Sequence, residues 1–420
     1  MPAIEDLLRD ELKRAADTVQ PEQLRPLRMP VPGRRWHRLL LPVAAAAAVI
    51  AVAVATVLVA GPKPAPTAAA GSAAIPRYYI TFTFVPDDQV HGLPVTEAVI
   101  RDSATGRITG TVKILTGFFP APVTVAAAPD DRSFVIGTIE LGPKGTRAPS
   151  YQQYRFLRLP ISADGKPGHL TELPAYPVPM NAFVTGIALS PDGTLLAMSS
   201  TYGVGEQNGH PATAEFGAVE VINLVTGAVR TWTAAMQQGH YFEPGQPSWA
   251  DGNRMIAFTW QRVKSLTNDA MTMEGVRLLD TEAPGDNLAD ARMIMPKQAV
   301  SGTIEGVLIT PDGSDVLVAT SHEVPPGGGR GTIFVQISEV PTTGRGPIRV
   351  LRTETARATA NTQATISDSG QVLSLAPGGR YALVQCIQFG WLDLDLGRFT
   401  SLPASSPTSP GQIAIIYGAW

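Results

Sequence analysis

The feature that most constrains this chain is a turn that returns at a nearly fixed interval. It occurs as Ala128-Pro-Asp-Asp-Arg132, Ser190-Pro-Asp-Gly193, Trp249-Ala-Asp-Gly252, Thr310-Pro-Asp-Gly313 and Ala376-Pro-Gly-Gly379. Counted at Pro129, Pro191, Ala250, Pro311 and Pro377, the steps are 62, 59, 61 and 66 residues. Each turn separates two short apolar runs, as Val123-Thr-Val-Ala-Ala-Ala and Ser133-Phe-Val-Ile-Gly do in the first copy. A second turn follows within each unit, after Val221-Ile-Asn-Leu at Thr226-Gly227 and after Phe334-Val-Gln-Ile at Thr343-Gly344. Ala98-Val-Ile-Arg-Asp with Thr105-Gly106, Arg277-Leu-Leu-Asp280 and Trp391-Leu-Asp-Leu-Asp395 fill the same slot. Glycine at such places supplies the positive φ that a tight hairpin demands. Four short strands per period predict propeller blades rather than a helical solenoid.

The two ends of the repeat region complement each other. Tyr78-Tyr-Ile-Thr-Phe-Thr-Phe84 reads as a second strand with no first strand before it, followed by partners at 97–102 and 107–114. Residues 412–420 read as a first strand with nothing after it. Joined, they make one blade from both ends, and five complete units bring the total to six. Closure removes the unpaired strand edges that an open array would expose. The predicted fold class is therefore all-β, a six-bladed β-propeller over 77–420.

The run Ala188-Leu-Ser-Pro-Asp-Gly-Thr-Leu-Leu-Ala197 resembles the repeat of the TolB-type and WD40-like propeller families. The resemblance covers roughly 77–420 and is specific for architecture. The Trp-Asp and Gly-His pairs of true WD40 repeats are absent at the matching positions. The resemblance implies a binding or scaffolding module more often than an enzyme, and fold alone assigns no activity.

Upstream, 3–19 carry apolar residues at Ile4, Leu7, Leu8, Leu12, Ala15, Ala16 and Val19, which predicts a short amphipathic helix. Pro21, Pro26, Pro30 and Pro32 end it. Residues 39–60 hold no charge and are rich in Ala and Val. At about 1.5 Å per residue the run reaches the roughly 30 Å of a bilayer core. Arg34, Arg35, His37 and Arg38 precede it, while only Lys63 and Arg77 follow closely. That asymmetry predicts a cytoplasmic N-terminal segment (1–38), a single transmembrane helix (39–60), a Pro/Ala-rich linker (61–76) and an extracytoplasmic propeller (77–420). A cleaved signal peptide is the competing reading, with Ala68-Ala-Ala70 as a small-residue cleavage site. Its n-region of nearly 40 residues and its long apolar run both argue for an anchor instead.

Little chemistry emerges from the residues. A net charge of -3 leaves no concentrated basic face, so no nucleic-acid partner is expected. Cys386 is the single cysteine and lies in an apolar strand pattern, which predicts a buried core thiol. His37, His91, His169, His210, His240 and His322 are dispersed, with no His-x-x-x-His or His-Glu-x-x-His spacing. No Gly-x-Ser-x-Gly elbow occurs. The Pro-Asp-Gly carboxylates are expected to cap their own turns rather than bind calcium. Gly327-Gly-Gly-Arg-Gly331 has no helix after it to complete a phosphate cradle. Trp232, Trp249, Trp260 and Trp391 fall in strand patterns and are expected in the core. No catalytic, cofactor-binding or metal-binding residue is assigned, no cofactor is expected, and the binding residues are left unknown.

Long connections at 85–95, 141–152, 201–216, 262–274 and 321–331, with the crossover 352–369, gather on the face carrying second-to-third strand loops. A protein or small-ligand partner is expected there, since binding residues concentrate on loops held by a rigid scaffold. Exposed candidates on it are Tyr202, Glu206, His210, Lys264, Asp269 and Arg330. The functional expectation is a non-catalytic, membrane-anchored binding module at the outer side of the cell membrane. Signalling through the 3–19 helix to a cytoplasmic regulator is a variant. The zinc-binding anti-sigma pattern, which needs His and Cys, finds neither before His37. A propeller-type hydrolase or lyase with its site at the channel mouth is the alternative, and an envelope scaffold a third reading. Topology is directly testable: alkaline phosphatase fused after residue 420 is expected to be active in intact bacteria, and inactive when fused after residue 30. Equal activity of the two fusions contradicts the predicted orientation.

Overall fold

The computed structural model of the protein describes residues 75–88, 93–115, 124–140, 153–173, 182–202, 206–207, 210–211, 216–235, 240–250, 252–263, 271–324, 331–357, 371–403 and 413–419. The chain divides into two units, Met1–Ala65 and Pro66–Trp420. The predicted helix at 3–19, the apolar run 39–60 and the linker to residue 74 lie outside the described residues. Among the described residues no helix is long and apolar enough to cross a membrane.

Six antiparallel sheets account for nearly all of the described chain. Blade 1 runs Ile413–Ala419, Tyr78–Asp88, Leu93–Asp102, Ile108–Leu115 from its inner to its outer strand. Blade 2 is Thr124–Ala127, Ser133–Glu140, Gln153–Pro160, Thr171–Glu172. Blade 3 is Ala182–Leu189, Leu195–Tyr202, Phe216–Asn223, Val229–Ala234. In blade 4 the inner strand comes in two pieces, Tyr241–Pro244 and Ser248–Ala250, both paired with Met255–Val263, and Met271–Asp280 and Arg292–Pro296 follow. Blade 5 is Thr303–Ile309, Asp315–Val324, Thr332–Pro341, Arg349–Arg357. Blade 6 is Gln371–Leu375, Tyr381–Gln385, Phe389–Asp393, Arg398–Ser401.

The blade shared between the ends is observed. Ile413, Ala414 and Ile415 pair with Phe84, Thr83 and Phe82; a bulge follows, after which Ala419 pairs with Ile80. Side chains alternate across each sheet, so each middle strand feeds two interfaces. Tyr78, Ile80 and Phe82 pack with Phe134, Ile136 and Leu159 of blade 2. Tyr79, between them in sequence, packs with Leu373, Leu383 and Phe389 of blade 6. The interfaces between blades 2 and 3, 3 and 4, 4 and 5, and 5 and 6 are filled in the same way. Six apolar clusters for six blades means the ring closes. Full burial of one such side chain contributes about 1.5–3 kcal/mol.

The strands run further at both ends than the residue pattern predicts. Residues 85–88, 93–95, 262–263, 271–274 and 321–324, read as loop, extend second and third strands. Arg349–Arg357, much of it assigned to a crossover, is the complete fourth strand of blade 5. These stretches mix polar and apolar residues at the rims of the sheets, and their backbone ladders continue regardless of the side chains. The split in blade 4 was also unforeseen. Pro244 and Pro247 carry no N–H, and Gly245 leaves room for the Thr259 hydroxyl, which would stand 2.0 Å from a Cβ at that place.

Two glycines separate steric from conformational demands. A Cβ on Gly217 would lie 2.0 Å from the Phe242 carbonyl oxygen of blade 4, whereas Gly227, at φ 72°, has nothing within 4 Å. Gly217→Ala is expected to cost about 2–3 kcal/mol by forcing blades 3 and 4 apart. Gly227→Ala is expected to cost about 1 kcal/mol from backbone strain alone. Chemical denaturation of both variants checks the order; a Gly227 variant that is the weaker of the two refutes the packing account.

Candidate functional site

The repeated turns use their carboxylates locally, as expected. Asp192 Oδ1 accepts from Ser190 Oγ at 2.7 Å, Thr194 N at 2.9 Å and Thr194 Oγ1 at 2.8 Å. Ser190 Oγ in turn accepts from Leu195 N at 2.9 Å. Blade 5 repeats the pattern, with Asp312 Oδ1 accepting from Thr310 Oγ1 at 2.7 Å and Ser314 N at 3.1 Å. In blade 2, Asp130 accepts from Arg132 N at 2.9 Å and from Ser133 Oγ, while Asp131 takes the left-handed position at φ 57°. Burial works against the Asp192 charge, but the donors from Thr194 and Ser190 outweigh it and hold its carboxyl below the ordinary value of 3.8. For Asp312 the Thr310 hydroxyl and the Ser314 amide do the same. With the acids folded back onto their own turns, the prolines beside them face the channel.

A cavity of about 280 Å³ occupies this end of the channel. Pro129, Pro191, Pro311 and Pro377 form its rim. Two of the turn glycines pack against prolines of neighbouring blades there. A Cβ on Gly193 would meet Pro129 of blade 2 at 3.4 Å, and one on Gly379 would meet Pro311 of blade 5 at 2.8 Å. Going inward by strand position, the first tier is Ala127, Leu189, Trp249, Ile309 and Leu375. Next come Ala126, Ala188, Ser248, Leu308 and Ser374, then Val125, Ile187, Pro247 and Leu373. Gln246 lies deepest. Among the described residues, no Asp, Glu, Lys, Arg or His lines this space.

Side chains stitch part of the wall. Trp249 Nε1 of blade 4 donates to Ala188 O of blade 3 at 3.1 Å, and Ile309 N of blade 5 donates to Ser248 Oγ at 3.1 Å. Thr185 Oγ1 donates to Pro244 O at 2.7 Å. Gln246 sits in the break of the blade 4 inner strand, with its stem against Gly186. A Cβ there would come within 2.7 Å of Gln246 Cα and 3.0 Å of its Cγ. Glu243, three residues earlier, is half-buried, and burial pushes its carboxyl up; it does not line the cavity.

The structure corrects one exposed candidate. Tyr202 is 5% exposed, donates its hydroxyl to Glu220 Oε1 at 2.7 Å and stacks on Phe216 at 4.7 Å. It ends a strand whose last seven residues are all buried, so it belongs to the sheet and not to the loop. Glu206 and His210 fall in a small hairpin whose side chains lie outside the described residues, as do Lys264, Asp269 and Arg330. His37, His91 and most of 327–331 also lie outside them. His169 and His322 are exposed and His240 is half-buried; His322 stacks on Phe334 at 4.9 Å. Among the described residues, no three His, Cys, Asp or Glu side chains converge as metal ligands. Cys386 is 1% exposed, and burial pushes its thiol up to about 12, so it is an inert core group. Trp232, Trp249 and Trp260 are buried and Trp391 half-buried. The channel cavity itself escaped the sequence reading. A proline recurring in four of the five turns was its one visible sign.

No family model matches the chain. No curated protein matches it either. The TolB-type resemblance thus stands on the turn residues alone. Among solved structures, Kuenenia stuttgartiensis hydrazine synthase is 15% identical, with 75% of this chain and 76% of that one covered and a TM-score of 0.39. Pyrococcus horikoshii acylaminoacyl peptidase is 9% identical, with 78% and 50% covered and a TM-score of 0.36. Prolyl oligopeptidase B from Galerina marginata is 9% identical, with 68% and 42% covered and a TM-score of 0.35. The chain spans half or less of these two peptidases. At these scores the likenesses carry no argument about activity.

The lowered carboxyls of Asp192 and Asp312 set a pH dependence. A folded-state pKa below the unfolded value stabilises the fold above about pH 4 and loses that contribution as pH falls through the folded value. Asp192→Ala is therefore expected to cost about 1 kcal/mol at pH 7, solvent screening keeping it small, and less at pH 3. Urea denaturation at the two pH values decides it, and an equal loss at both contradicts the charged cap.

Proposed function

We propose that the chain is a membrane-anchored, non-catalytic propeller of the TolB-type repeat class that holds an uncharged ligand in the channel. The observation that carries this reading is the tiered lining from Pro129 to Gln246, which contains no titratable side chain among the described residues. General acid–base, nucleophilic and metal-assisted chemistry each need such a group beside the reacting atoms. Among the described residues at this short-turn end, which lies opposite the long-loop face, a hydrolase or lyase finds no acid, base or nucleophilic pair. Small-molecule sites, by contrast, are concave, with a few placed polar groups among apolar ones, and this cavity sets Ser248, Ser374 and Gln246 among aliphatic residues.

The anchor rests on the uncharged run 39–60 with its basic upstream flank. The proposal places the propeller outside the cytoplasm and leaves 3–19 as the segment available to a cytoplasmic regulator. Native mass spectrometry of the full chain, released from non-ionic detergent, tests the reading. Wild type is expected to carry a small molecule at up to one per chain. Ala188→Phe, which fills the middle tier, is expected to lose it at an unchanged melting temperature; should that variant misfold, Ser374→Leu replaces it. Retention by both folded variants, or a stoichiometric divalent ion held instead, overturns the proposal.

A further inference from the structure

The ordering of the lining by depth says more about the ligand than its average composition does. The rim is proline, the next positions are aliphatic side chains with Trp249 and three serines, and Gln246 lies deepest. Ser248 Oγ is engaged as acceptor of Ile309 N, and Ser190 Oγ is engaged with Asp192 and Leu195. Gln246 differs, because no hydrogen bond from its carboxamide to another described residue occurs. It owes its place to three local features: the Pro244 and Pro247 breaks that part the inner strand, and the absent side chain at Gly186. None of the other inner strands puts a carboxamide at this depth of the lining.

We infer that the cavity takes an uncharged amphiphile head-first, with a neutral hydrogen-bonding head at Gln246 and a hydrocarbon body against the tiers beneath the proline rim. The inference rests on the proposed reading of the channel as a binding site. A carboxamide offers both a donor and an acceptor, so it matches a head that does the same, such as a primary amide or an alcohol. A carboxylate or ammonium head would be carried into the lining with no opposite charge to receive it, and such burial is strongly disfavoured. The volume of about 280 Å³ accommodates a short chain. At about 30 Å³ for a water-sized group, it holds roughly nine of them. An eight-carbon primary amide fits that size.

The test uses the full chain in lipid nanodiscs, titrated calorimetrically against empty nanodiscs with octanamide, octane, octanoate and octylammonium. Octanamide is expected to bind at one per chain, and both charged probes at least about tenfold more weakly. Gln246→Leu is expected to weaken octanamide about tenfold, the worth of one hydrogen bond in a buried site, and to leave octane unchanged. Gln246→Met, close to glutamine in shape, replaces the leucine variant if its melting temperature falls. Octanoate binding as tightly as octanamide, or octanamide indifferent to the loss of Gln246, overturns the inference. A ligand retained in the native mass spectrum together with no response to any eight-carbon probe overturns it too, and leaves the proposed function standing.

Discussion

Everything in this molecule depends on closing the ring with a blade made from two distant stretches of chain. Residues 413–419 supply its inner strand and Tyr78–Asp88 the next one. Tyr78 and Tyr79 show how tightly the joint is tied. They are consecutive, so their rings point to opposite faces: Tyr78 donates to Ala163 O of blade 2 at 2.7 Å and Tyr79 to Pro403 O beyond blade 6 at 3.2 Å. Burial pushes the Tyr79 hydroxyl up to about 12, so it stays a donor at any physiological pH. Without this joint, two of the six apolar interfaces would open, and the strand edges they protect would face solvent.

Where the turn is complete, at Ser190-Pro-Asp-Gly193 and Thr310-Pro-Asp-Gly313, it serves three physical ends at once. Its acid caps its own amides, as at Asp192 and Asp312. Its glycine provides positive φ and packs against a neighbouring blade, as Gly193 does against Pro129. Its proline, released from any ladder by having no N–H, is left at the channel rim. The same residues that set the period therefore strip charge from the mouth. An apolar entrance is a consequence of how the hairpins are built. Function inherits the turn chemistry.

That is also why the architecture was legible and the site was not. Gly106, Gly227 and Gly344 sit at φ 68°, 72° and 66°, where Thr-Gly in the sequence placed tight turns. The count of blades follows from such signals, since each is local. Tyr202 was misplaced because a tyrosine next to Gly203 reads as the start of a loop, while its burial depends on Glu220 and Phe216 on another strand. Strand ends at 85–88 and 321–324 were lost for a related reason. Their ladders persist through backbone pairing while the residue types mix polar and apolar. The cavity is harder still, because Ala126, Ser248 and Ser374 come together only across blades and carry no pattern of their own.

The repeat makes its exceptions informative. The inner strands of blades 1, 3, 5 and 6 each carry a register shift, and blade 4 takes the irregularity furthest, parting its strand at Pro244-Gly-Gln-Pro247. The break costs ladder hydrogen bonds, yet the wall around it is the stitched part, with Trp249, Ser248 and Thr185 joining blades 3, 4 and 5. A local departure from the fold's own grammar, supported by neighbours on both sides, is where proteins hold functional groups against the demands of stability. Here it places Gln246 at the deepest position of the described lining. A propeller needing only to stand as a scaffold would gain nothing by that arrangement, since a regular inner strand at blade 4 would bond more of its backbone. The irregular strand, more than the cavity around it, is the reason to look for a ligand in this channel.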